Sequence, residues 1–133
     1  MKRIASIALA GALCGQASAL EVVGLADLVT QRASNDQRTS TNAKLIMAAY
    51  FASAADLLNL ARQSSGELAY RRTSFACLPE GVMLNGEIIE SIALQELRSL
   101  EESPPTEVPE WRRAPASVLI SVAVAKHYPC ITK

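Results

Sequence analysis

Apolar residues recur at helical spacing in four stretches of this chain, and polar segments bearing proline or glycine separate them. Val22, Val23, Leu25, Ala26, Leu28 and Val29 fall within Leu20 to Gln31 and predict a short first helix. Arg32 to Ser40 is polar and is expected to be a loop, with Thr39, Ser40, Thr41 and Asn42 as N-cap candidates for the second helix. That helix is predicted from Asn42 to Arg62, with Ile46, Tyr50, Ala54, Leu57 and Ala61 on a core stripe widened by Met47, Phe51 and Leu58. Ser64-Ser65-Gly66 ends it, and Glu67 to Ser74 is expected to be a connector.

Phe75-Ala76-Cys77-Leu78-Pro79-Glu80-Gly81-Val82 then predicts a tight turn. Pro79 fixes its own φ and biases Leu78 toward extended backbone, and Gly81 is free of the Cβ restriction. The third helix, Asn85 to Glu101, places Leu84, Ile88, Ile89, Ile92, Ala93, Leu97 and Leu100 on one face, opposite Glu87, Glu90, Arg98 and Glu101. Two residues break that pattern. Glu96 projects into the apolar side, where its carboxylate is expected to reach an arginine or to snorkel at the edge, and Leu94 sits among the charges as a candidate contact residue. Three prolines make Glu101 to Glu110 an acidic, stiff loop. The last stretch, Ala114 to Tyr128, is apolar nearly all round; Val118, Ile120, Val122 and Val124 alternate as a buried strand would, but no convincing partner strand exists, so a helix is predicted.

Composition changes the picture at the N-terminus. Lys2-Arg3, the apolar run Ile4 to Leu13 and the small residues Ala17-Ser18-Ala19 have the layout of a cleaved secretory signal peptide over residues 1–19. The run is shorter than the roughly 20 apolar residues of a membrane span. Leu13, which precedes Cys14, is not the small residue expected of a lipidation site. Cleavage would leave residues 20–133 as one domain, with 11 basic and 13 acidic residues and a net charge of about −2. Such a balance gives no footprint for nucleic acid and no membrane surface site.

Cleavage also turns three cysteines into a pair, Cys77 and Cys130, in a chain sent to an oxidising compartment. A disulfide is the simplest outcome, worth about 4 kcal/mol in the chain-entropy account. Metal ligation or redox catalysis fits poorly without a CxxC pair or a neighbouring histidine. His127 is the only histidine, and neither an HExxH, a GxSxG nor a glycine-rich phosphate loop occurs, so no cofactor, metal or catalytic residue is assigned and no enzyme is expected. The fold expected from these elements is all-α, a small four-helix domain stapled by one disulfide after a cleaved signal peptide.

The chain resembles the amidase immunity proteins of type VI secretion, the Rap/Tai group. The likeness rests on Ala49-Tyr50-Phe51 through Ala54-Ala55-Asp56-Leu57, on Phe75 through Val82, on the helix from Ile88 to Leu100, and on Pro115-Ala116 through Ala123 to Tyr128-Pro129-Cys130. Many members carry a second cysteine pair that this chain lacks near Leu28 to Thr30 and Met47 to Ala49. The resemblance implies a periplasmic, helical homodimer that binds a peptidoglycan amidase delivered by a neighbouring cell and blocks its cleft. The residue types suited to such a grip are arginines and aromatics. Trp111, Arg112 and Arg113 are the first candidates, with Trp111 expected to be dispensable for stability; Tyr70, Arg71 and Arg72 are second, and Leu94 could line the same surface. A periplasmic helical stress chaperone is the alternative reading.

Overall fold

The computed structural model describes residues 20–103 and 109–131. The proposed signal peptide, Cys14 and residues 104–108 of the proline-rich loop lie outside the described residues. Among those described there are four α-helices and one β-hairpin: α1 Val22–Arg32, α2 Gln37–Leu60, strands β1 Glu67–Tyr70 and β2 Thr73–Cys77, α3 Gly86–Glu101, a 3-10 turn Pro109–Arg113, and α4 Ala116–His127. The molecule is therefore mostly helical rather than all-α, and the connector expected between the second and third helices is a two-stranded antiparallel sheet.

Two boundaries bear on the sequence reading, one as a difference and one as an agreement. Helix α2 starts five residues earlier than predicted because Asp36 is its N-cap; its carboxylate accepts from the Thr39 backbone N–H at 2.8 Å. The hydroxyl of Ser40 also donates to the Arg32 carbonyl at 2.7 Å, tying the new first turn to the end of α1. Helix α3 begins close to where its sequence places it, with Asn85 accepting from Ile88 N–H at 2.8 Å. The apolar C-terminal stretch is helical, as predicted, and buries Leu119, Ile120, Ala123 and Val124.

Helix α2 packs against both α1 and α3, and α3 in turn packs on α4. The stripe that α2 buries is Ala43, Met47, Phe51 and Ala55, spaced one turn apart. That stripe lies about a quarter turn from the predicted one. Tyr50, Ala54 and Leu58 still pack at the core's edge, whereas Ile46 and Leu57 are 52% and 68% exposed. Leu45 and Leu60 share their side of the helix and are 64% and 82% exposed. By length and composition alone α2 could cross a membrane; here one of its faces forms the centre of the core and the other is uncovered.

Glu96 is buried on α3 and not at the edge, and its cationic partner is a lysine in place of the arginine expected: Lys126 of α4 donates to its Oε1 at 2.6 Å. Arg32 of α1 pairs with Glu90 of α3. The segment before α1 is held to the start of α4 by a strand-like contact of Glu21 with Pro115 and by Ala116 N–H donating to Leu20 O at 2.7 Å.

Candidate functional site

The hairpin is fixed at its base by three devices, and the segment that follows it is tied to the end of α2. Cys77, the last residue of β2, is bonded to Cys130 with Sγ atoms 2.04 Å apart, and its backbone N–H donates to Tyr128 O at 2.9 Å. Leu68 and Ala76 face each other across the strands and are fully buried in the core. Gly66, at φ +85°, allows Leu78 N–H to reach its carbonyl at 2.9 Å; a Cβ there would sit 2.5 Å from Leu78 O. Arg62 lays its guanidinium on the carbonyls of Val82 and Pro79, and Asn59 exchanges two hydrogen bonds with Leu84, at 2.7 and 3.2 Å.

The far end has none of these supports. Register runs from Glu67 opposite Cys77 to Tyr70 opposite Thr73, with an irregularity after Leu68 that leaves Phe75 as the extra residue and turns its side chain toward the core. The two residues joining the strands are Arg71 and Arg72, at φ +49° and +69°. Positive φ at both centres of a two-residue loop is the geometry whose twist suits a hairpin, and glycine or asparagine normally supplies it. Arginine in this region is strained, by about 1 kcal/mol or more for each residue. Tyr70 is 67% exposed, and the Arg71 guanidinium carbon lies 5.3 Å from its ring centroid. Among the described residues neither arginine has a carboxylate within ion-pair distance.

The other predicted cluster is built differently. Trp111 lies in the 3-10 turn, half-buried, and packs against the core beside α1; Arg112 stacks over it at 5.2 Å and Arg113 is exposed. The indole is thus partly packed, where the sequence places it on an exposed loop. The turn leads into the start of α4, a helix about 18 Å long, while the base of the hairpin is bonded beside its end. Among the described residues no hydrogen bond or ion pair joins the two clusters. Leu94 is half-buried on α3 beside Glu87, Glu90 and Ser91, packed at the core's edge.

A shallow open groove between α3 and α4 is lined by Ile92, Gln95, Glu96, Ser99, Ala123, Lys126 and His127, and its two opposite charges already neutralise each other. No group of three metal-ligating side chains occurs among the described residues. The hairpin is the element that helical periodicity does not reveal; the alternation of Leu68 and Tyr70 with Glu67 and Ala69 is its only signal, and the double arginine conceals the turn. Comparison of the chain with protein-family models, with curated proteins and with solved structures finds no match.

Proposed function

We propose that this protein is a periplasmic inhibitor of the immunity type, which binds a peptidoglycan amidase effector and occludes its cleft without chemistry of its own. The observation that carries this reading is the disulfide-clamped hairpin whose exposed tip presents Tyr70, Arg71 and Arg72. A rigid base with an aromatic and two arginines at its end has the make-up of an interface anchor. The disulfide itself fits an oxidising compartment, in agreement with removal of residues 1–19 during export. Homodimerisation belongs to the same proposal. The uncovered side of α2, with Leu45, Ile46, Leu57 and Leu60 spread along about 22 Å of helix, supports it.

The test is export of peptidoglycan amidases to the periplasm of a host cell, one at a time, with and without this protein. Rescue from lysis by at least one amidase is expected. Lysis unaffected across amidases of differing specificity removes the inhibitor reading.

The same uncovered apolar side of α2 is also what a client-binding surface requires, and it favours the chaperone reading as the second choice. A chaperone suppresses aggregation of unrelated heated proteins at equimolar ratio, whereas an inhibitor leaves them to aggregate.

A further inference from the structure

We infer that the hairpin tip is a preformed wedge for a carboxylate-lined cleft on a protein partner, and that the backbone strain at Arg71 and Arg72 is retained for that purpose. This rests on the inhibitor reading and adds to it the residues that enter the cleft and the chemistry that receives them.

Three features point the same way. The chain holds two consecutive arginines at positive φ, where asparagine and glycine would be relaxed, so the side chains rather than the turn account for the residues found there. The strain is tolerated because the base is over-determined by the Cys77–Cys130 bond, the buried Leu68 and Ala76 pair and the hydrogen bond from Leu78 N–H to Gly66 O. Finally, Arg71 is already stacked on Tyr70, which limits the rotamers it must surrender on binding.

The shape and charge then select the partner. Two strands set about 5 Å apart and closed by a two-residue loop make a narrow edge, which suits a concave site better than a flat one. Guanidinium groups without internal carboxylates pair best with planar carboxylates, in a two-pronged geometry that an ammonium cannot copy. Nucleic acid is a poor fit because residues 20–133 are net acidic and the tip would neutralise only two phosphates. An anionic membrane calls for clusters of about four to eight basic residues.

The experiment uses the oxidised mature protein and each amidase against which it protects. Affinity, association rate against salt, and melting temperature are measured for the wild type, for Arg71→Asn/Arg72→Gly and for Arg71→Lys/Arg72→Lys. The Asn-Gly variant is expected to melt a few degrees higher, because the turn is relaxed, yet to bind about 10-fold or more weaker and to lose most of the salt dependence of association. The double-lysine variant, which keeps the charge, retains that salt dependence and falls between the two in affinity. Unchanged affinity in the relaxed variant overturns the inference, as does an equal loss in both variants, which would assign the effect to turn shape instead of charge. Tight binding of the wild type to phosphatidylglycerol vesicles, abolished by Arg71→Asn/Arg72→Gly, overturns it in favour of a lipid surface. Failure of the wild type to protect against any amidase defeats the inhibitor reading and the cleft with it, and is distinguished by arising before any variant is compared.

Discussion

Tyr70-Arg71-Arg72 and Trp111-Arg112-Arg113 are the same chemical phrase, an aromatic followed by two arginines with the first guanidinium stacked over the ring at 5.3 and 5.2 Å. Their supports differ. The first stands at the end of a hairpin, with strained backbone and an exposed ring. The second lies in a 3-10 turn whose indole is half-buried against α1 and the core. Similar side chains therefore have different tasks according to what holds them: the turn's aromatic contributes to stability, and the hairpin's is left free for contact. Composition alone ranks tryptophan as the better anchor, but of the two rings it is the less exposed.

The largest way to disturb the contrast is to remove the clasp. Cys130→Ser is expected to lower unfolding stability by about 4 kcal/mol in denaturant titration under non-reducing conditions. The effect should also be uneven. Hydrogen exchange should rise at β2, whose last residue loses its tether, more than at the 109–113 turn. Equal loosening of both regions would show that the hairpin base is held mainly by its hydrogen bonds and buried side chains.

Next in size is the direct comparison of the two rings. Trp111→Ala should cost about 2 kcal/mol, less than a fully buried tryptophan because the indole is only partly covered. Tyr70→Ala should cost under about 0.5 kcal/mol, since the ring faces solvent. Melting curves for both, side by side, would break the comparison if the order were inverted.

The smallest effect concerns acid. Hydrogen bonds from the Thr39 hydroxyl and then from its backbone N–H hold the Asp36 carboxyl below the usual aspartate range. A depressed folded-state value contributes stability that is complete above the unfolded aspartate value and fades as pH falls through the folded one. Asp36→Asn should flatten that part of the pH profile of melting, and the first turn of α2 should be where the difference arises. A change in the profile on Arg71→Asn/Arg72→Gly would reveal a carboxylate partner within the molecule.

Much of this architecture is legible in residue patterns, and the exceptions have particular causes. The third helix is well placed by sequence because Asn85 caps it and its apolar and charged faces are cleanly divided. The cysteine pairing emerges from the parity left once residues 1–19 are set aside. Helix α2 is recognisable but its buried side is not, since alanines around its circumference leave the hydrophobic pattern nearly level, and the packing of Phe51 and Met47 decides which face turns inward. Its early start is hidden because Gln37 to Asn42 is polar and only Asp36 announces it. The hairpin escapes sequence reading for the reason that makes it interesting: its loop contains neither glycine nor asparagine. Both candidate clusters stand out in the sequence, but only coordinates separate the supported ring from the free one.

The central claim, that the hairpin tip and not the 3-10 turn makes the contact, is tested most plainly by hydrogen–deuterium exchange of the mature protein, free and bound to an amidase that it protects against. New protection is expected across Leu68 to Ser74, centred on Arg71 and Arg72, with the 109–113 turn unchanged. Protection confined to the 109–113 turn, with the hairpin exchanging as in the free protein, would contradict it.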